Sequence, residues 1–230
     1  MANVLLVTGG GWLLRSVVNS GGLVPALMLG ISILCGYVYQ GPPFRFSYRG
    51  WGEALCFIAF GPLATAAFYL CCGATTTTAP AGAGDVVVTV PSFFATLQSI
   101  PEIVWGASVL VGVSTSIILL CSHFHQIQGD RAAGKLSPVV RLGTRRAAKV
   151  LQIALVLYYI TLGMLTVEGV FPIQVLLGSL LAAPLAANLT NFVTANHDKP
   201  SVVFSSKILA CKWHLAQGFV LAVGLALSAL

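Results

Sequence analysis

Apolar residues in this chain gather into six long runs separated by short polar connections. The runs extend from about Gly22 to Tyr39, Ala54 to Cys72, Ile103 to Cys121, Val150 to Val167, Phe171 to Leu189 and Trp213 to Leu230. Each approaches the roughly 20 residues that a helix needs to cross the hydrocarbon of a bilayer. No water is available there, so each run must satisfy its backbone N–H and C=O groups internally, which helices do and isolated strands cannot. The pattern predicts an all-α, polytopic transmembrane bundle of about six spans. Residues 1–21 hold Gly9, Gly10, Gly11 and Arg15 in a stretch too short to span. They read as a lead-in of uncertain structure before a membrane domain over 22–230.

The connections decide how the runs are threaded. The first, Gln40 to Glu53, carries Arg45 and Arg49, and the second, Gly73 to Pro101, carries no Lys or Arg. The third, Ser122 to Lys149, holds Arg131, Lys135, Arg141, Arg145, Arg146 and Lys149, the fourth, around Glu168, holds none, and the fifth has Lys199, Lys207 and Lys212. Eleven of the twelve basic residues thus lie in alternate connections. Cytoplasm-like faces collect Lys and Arg in short loops. Connections one, three and five are therefore expected on that face, and adding or deleting a span would destroy the alternation.

Composition narrows the partners. Of 230 residues, 57% are hydrophobic and 8% charged, against about 25% charged in soluble domains, so a soluble globule is excluded. The net charge of +6 lies in loops between apolar runs, which points to lipid headgroups and anionic substrates rather than nucleic acid. Cys35, Cys56, Cys71, Cys72, Cys121 and Cys211 sit in or at the ends of the runs without metal-ligand spacing, and read as small buried hydrophobes. The second connection, beginning TTTTAPAGAGD, has the low complexity of a disordered tether. Gly178, Ala182 and Ala186 recur every four residues, a spacing that lets helices approach closely. No ionisable residue is expected in mid-span, which argues against a small transporter.

Two segments on the basic face are richer in polar and aromatic residues than a connection requires. YQGPPFRFSYRGWGE, Tyr39 to Glu53, is a turn punctuated by Gly and Pro that presents Gln40, Arg45, Tyr48, Arg49 and Glu53. Its plainer reading is an interfacial anchor. HFHQIQGDRAAGKLSPVVRLG, His123 to Gly143, places Asp130, Arg131, Lys135 and Arg141 in quick succession. One carboxylate among cations suits a site where Mg²⁺ joins Asp130 to a diphosphate, because Mg²⁺ often takes only one or two carboxylates and completes its octahedron with phosphate oxygens and water. The plainer reading is a solvated loop with local ion pairs. His123 and His125 lie two apart, point in different directions on a helix, and read as interfacial histidines.

In this order, GPPFRFSYRGWGE with FIAFGP (Phe57 to Pro62), then GDRAAGKLSPVVRLG (Gly129 to Gly143), resemble the UbiA superfamily of intramembrane prenyltransferases. The likeness is to its branch acting on 1,4-dihydroxy-2-naphthoate, it extends from about Gly22, and the YQGPPFR wording looks plant-like. The resemblance implies Mg²⁺-dependent ionisation of a phytyl or prenyl diphosphate, attack by the naphthoate ring, a role in phylloquinone or menaquinone formation, and a plastid membrane. It implies Asp130, Lys135 and Arg131 as catalytic residues, Asp130 and Gln126 as Mg²⁺ contacts, and Arg45, Tyr48, Glu53, Gln40 and Arg141 at the substrate. The partners implied are a prenyl diphosphate, an aromatic acceptor and membrane lipid, with a homo-oligomer left open. The family also carries about nine helices and an early N-D-x-x-D motif, whereas Glu53, Asp85, Glu102, Asp130, Glu168 and Asp198 form no such cluster. Gln126 and Gln128 stand where acids are common in the second motif. The expectation is the C-terminal two thirds of such a bundle, with the N-terminal part missing. The alternative is a catalytically impaired truncated paralogue or splice form that binds prenyl lipid or assembles with a full-length partner.

Overall fold

A computed structural model of the chain describes residues 8–11, 15, 23–73 and 90–228. Among these residues all regular structure is helical. In chain order the helices are α1 (Leu23–Gln40), α2 (Gly52–Ile58 continuing through Ala59–Thr65 into Ala66–Gly73), α3 (Val90–Gln98), α4 (Glu102–Ala132), α5 (Pro138–Leu142), α6 (Thr144–Val167), α7 (Ile173–Leu181), α8 (Ala183–Asn196), α9 (Pro200–Val203) and α10 (Ser206–Ser228). Five spans are long and apolar enough to cross a bilayer, formed by α1, α2, α4, α6 and α9 with α10, and the pair α7 and α8, bent by 43°, makes a sixth when counted as one. The chain is a multi-pass membrane protein.

Every span but α1 is longer than its apolar run. α4 continues past Cys121 to Ala132 because His123, Phe124 and Asp130 lie on its buried face, so its polar tail stays packed. α6 begins at Thr144 and α10 at Ser206, which sets Arg145, Arg146 and Lys149 on exposed positions of the first turns of α6, where long cationic side chains reach the interface. Val90–Gln98 is a helix inside the stretch expected as a tether, while TTTTAPAGAGD lies outside the described residues. Of the lead-in, 8–11 and 15 are described and helical. The Gly178, Ala182 and Ala186 series is not one stripe: the helix bends at Ala182, since Pro184 has no N–H to continue the ladder. Gly178 makes a close approach: a Cβ there would lie 2.8 Å from Val220 Cγ1 of α10.

Lipid is as apolar as leucine, so contact and hydrogen bonding hold such a bundle together more than exclusion of water does. Leu151, Leu155, Tyr158 and Leu162 repeat at helical spacing along α6 and pack in one cluster with Phe124, Leu189 and Trp213. Tyr158 donates to Gln217 Oε1 (3.3 Å), while Gln217 Nε2 (3.1 Å) and Trp213 Nε1 (3.2 Å) donate to the Tyr159 hydroxyl. Beside this network His214, near the centre of α10, has Nδ1 2.8 Å from Ser114 Oγ. An ionisable residue therefore does sit in mid-span; it was hidden within an otherwise apolar run, and its partner on α4 satisfies it. The cysteines are free as expected, but only Cys121 is fully buried and Cys72 and Cys211 are exposed. A helix in lipid has an outward face that suits a thiol as well as the core does.

α2 and α4 cross almost backbone to backbone. A Cβ on Gly61 would lie 2.7 Å from Ser108 O and 3.0 Å from Gly112 Cα. Pro62 breaks the regular ladder here, and Ala59–Thr65 takes π-helical form. Ser32 Oγ donates to Ala59 O (3.0 Å) and Thr65 Oγ1 to Phe60 O (3.1 Å), supplying bonds in the disturbed stretch. Gly61→Val is expected to force the two helices apart and lower stability by about 1–3 kcal/mol, the usual cost of overpacking. A titration with denaturing detergent checks this; an unchanged midpoint would mean the crossing is not tight.

Candidate functional site

The three basic connections meet at one end of the bundle. Leu136 N donates to Tyr48 O (2.9 Å), joining the first to the third, and Thr144 Oγ1 lies 3.0 Å from His197 Nδ1, joining the third to the fifth. At the opposite end Glu102 and Glu168 line a common cavity.

The first connection folds back tightly after α1. Gly41 N donates to Tyr37 O (2.7 Å) and Arg45 N to Gly41 O (3.0 Å), leading into the short helical turn Phe46–Arg49. Arg45 is held in the left-handed region at φ 44, a conformation that costs a non-glycine residue about 1–3 kcal/mol, and its guanidinium lies 5.7 Å from the Tyr48 ring centre. The turn closes at Gly50, φ +80, where a Cβ would stand 2.7 Å from Arg141 Nη1 and 2.9 Å from Leu136 O. Both the conformation and the space require glycine.

Beneath this seam lies a chain of polar side chains. His123, 2% exposed, places Nδ1 3.2 Å from Asp130 Oδ2 and Nε2 3.2 Å from Glu53 Oε1. Lys135 Nζ lies 3.5 Å from Asp130 Oδ1. His123 and Asp130 are seven residues apart, two turns of α4, so they share a face. After Ala132 the chain reverses through Gly134 at φ +69, and Lys135 N donates to Asp130 O (2.8 Å), which folds Lys135 under the carboxylate. The His123 to Asp130 contact is a hydrogen bond, whereas Glu53 Oε1 is buried with no hydrogen-bond partner among the described residues. The Glu53 oxygen thus lies close to the ring nitrogen without a hydrogen bond to it. The hydroxyls of Ser47 and Ser137, which flank the Tyr48 to Leu136 bond, are likewise buried without a partner among the described residues.

Of the expected site residues, Asp130, Lys135 and Glu53 come together, and Arg45, Tyr48 and Arg141 line the same seam. Gln40 ends α1, exposed. Gln126 and Arg131 do not join the cluster; both are exposed. Arg131 is rotated by about 100° around the helix from buried Asp130. His123, expected at the interface, is instead the centre of the cluster, and its signal in the sequence was the seven-residue spacing to Asp130. His125 turns away as expected, its ring edge-on to Phe204 at 4.9 Å.

Two cavities flank α2. One, of about 470 Å³, lies between α1, α2 and α4 and is lined mainly by apolar groups such as Ile33, Leu55, Phe60 and Leu119, with Tyr39 at its upper end. The other, of about 480 Å³, lies between α2, α4 and α6 and is lined by Glu53, Trp51, Phe57, Ser116 and Val150. Both fall within the usual range for small-molecule sites. Among the described residues no group of three or more His, Cys, Asp and Glu could hold a metal alone. A single carboxylate beside a lysine fits Mg²⁺ that also takes phosphate oxygens, the manner in which this ion is commonly bound.

Comparison with known proteins agrees with the sequence resemblance. The model of the UbiA prenyltransferase family matches residues 1–215, a range that includes the lead-in. A 2-carboxy-1,4-naphthoquinone phytyltransferase, chloroplastic, from Arabidopsis thaliana is 38% identical over 225 residues, covering 97% of this chain and 54% of that protein. A 2-carboxy-1,4-naphthoquinone phytyltransferase from Synechocystis is 40% identical over 199 residues, 86% of this chain and 56% of that protein. The chain spans about half the length of these curated relatives. No solved structure matches it significantly.

Proposed function

The chain belongs to the UbiA prenyltransferase family, and from that premise we propose that it transfers a phytyl or prenyl group from its diphosphate to 1,4-dihydroxy-2-naphthoate, with Mg²⁺, in a plastid membrane. The names of the two relatives print a phytyl group and 2-carboxy-1,4-naphthoquinone, the oxidised form of this acceptor, and so support the donor group and the acceptor skeleton. The observation that carries the proposal is the convergence of Glu53, His123, Asp130 and Lys135 where the first and third connections touch, with Glu53 also lining the cavity between α2, α4 and α6.

The diphosphate head lies at Asp130 and Lys135, with Arg45 and Arg141 at the rim. Mg²⁺, when bound, supplies charge that helps diphosphate leave. Lys135, nearly buried, places a fixed cation on the same oxygens, where electrostatics act more strongly than in water. The isoprenoid tail lies in the apolar cavity between α1, α2 and α4. The acceptor ring lies on the other side of α2, in the cavity that Glu53 lines, where the carboxylate accepts from a ring hydroxyl. The C–O bond to diphosphate breaks, the ring carbon bonds to the allylic carbon, and the ring carboxylate leaves as CO₂. Apolar walls keep water from the intermediate cation.

The test is purified chain with Mg²⁺, phytyl diphosphate and dihydroxynaphthoate, assayed for prenylated product beside a full-length relative. No product where the relative works would sink the transfer reading. Lys135→Met is expected to raise KM for the diphosphate about 10- to 100-fold, matching the 1.5–3 kcal/mol of a hydrogen bond to a charged group. A second reading, binding of prenyl diphosphate without transfer, is favoured by the exposed, uncharged Gln126 and by the lack of an acidic cluster among the chain's six acids. Retained binding with no product would select it.

A further inference from the structure

We infer that His123 is a positioning residue that fixes the Asp130 carboxylate for diphosphate binding; this rests on the diphosphate site proposed above. The question it answers is mechanical. Asp130 stands close to the end of a long helix, and the side chain one turn before it, Gln126, is exposed and uncharged. A lone carboxylate on a helix end rotates freely unless something holds it, and a ligand would then have to bear the cost of ordering it.

His123 supplies that hold. Its Nδ1 engages Oδ2 at 3.2 Å, and Lys135 lies on the opposite oxygen, Oδ1, at 3.5 Å. With Oδ2 held, the plane of the carboxylate is set and Oδ1 is left on the Lys135 side, where both groups face the same ligand. The longer, looser contact is the one a ligand displaces. The other ring nitrogen reaches Glu53 on α2, so the imidazole also ties Asp130 to the helix that separates the two cavities. At 2% exposure the ring is walled in on its own helix and by α2, and its rotamer is fixed from both sides. Such partners behind a ligand-binding carboxylate commonly change affinity by about 10- to 100-fold when removed.

The experiment measures binding of farnesyl thiodiphosphate, with Mg²⁺, to the full chain in nanodiscs by calorimetry. The variants are His123→Leu, His123→Asn, Asp130→Asn and the double variant His123→Leu with Asp130→Asn, and unfolding midpoints are recorded for each. Leucine fills the space without a donor, and asparagine keeps an N–H. We expect His123→Leu to weaken binding about 10- to 100-fold and His123→Asn to recover most of it. In the Asp130→Asn background the leucine change should cost little more, because interacting residues are not additive. Wild-type affinity in His123→Leu while Asp130→Asn loses binding would overturn the positioning role and leave the diphosphate site standing. Fully additive losses would also overturn it, as would equal losses in the leucine and asparagine variants. If the wild-type chain itself does not bind the probe, the diphosphate site falls and this role falls with it. If His123→Leu does not fold, the comparison of His123→Asn with Asp130→Asn decides: a loss in the former as large as in the latter contradicts the inference.

Discussion

If the proposed transfer is correct, Asp130→Ala is expected to abolish it, lowering the rate by at least about 10²- to 10³-fold, the scale for removing one preorganised electrostatic group from a reaction centre. Among the described residues, the carboxylate and Glu53 are the acids in the seam where the first and third connections meet, and Asp130 is the one in contact with both His123 and Lys135. Removing it leaves the nearly buried Lys135 without its counter-charge, so the alanine variant should also unfold more easily; breaking one side of a buried pair costs about 3–5 kcal/mol. Asp130→Asn separates the two effects. It keeps the volume and one acceptor oxygen, removes the charge, and should lose transfer while recovering part of the stability. Product formation measured alongside unfolding midpoints distinguishes them. An unaffected rate in either variant would mean that the diphosphate is held elsewhere.

The largest effect on stability is expected at Trp213. Its side chain has no exposed surface, lies edge-on to Tyr158 at 4.9 Å, and donates from Nε1 to the Tyr159 hydroxyl. Trp213→Ala opens a large cavity among α4, α6 and α10 and removes one donor from a connected polar network. Large-to-small changes of this kind cost about 3–5 kcal/mol. The hydrogen bond adds less than its vacuum strength, because polar groups in bilayers average about 0.6 kcal/mol per pair. A shift in the midpoint of detergent unfolding should report the loss. A change below about 1 kcal/mol would mean that the neighbouring rings collapse into the space.

How much of this was legible without coordinates depends on which physical rule dominates each stretch. The spans were readable because hydrocarbon permits almost no other backbone state, and α1 and α2 lie where the apolar runs place them. Helix ends were not, because they depend on tertiary partners: nothing local extends α4 through HFHQIQGDRA, yet His123 facing Glu53 and Asp130 keeps it helical. The bend at Ala182 was marked by Pro184, but the regular Gly178, Ala182 and Ala186 spacing drew attention to a stripe instead. Asp130 and Lys135 stood out as charges in a sparse chain. Glu53 was singled out in a turn and, by resemblance, at the substrate, whereas His123 was read as an interfacial histidine, because its contact with Glu53 joins residues seventy positions apart in the sequence.

α4 has 31 residues, about 46 Å at 1.5 Å per residue, against a hydrocarbon thickness of roughly 30 Å. Even with moderate tilt, one end must stand in the headgroup layer or beyond it, and the end carrying His123, Asp130 and Lys135 belongs to the basic side. In the proposed reaction the charged leaving group would thus be released at the aqueous rim while its greasy partner never leaves the oil. Product separation would need no lid: the inorganic half diffuses outward and the alkylated ring slides sideways among the acyl chains.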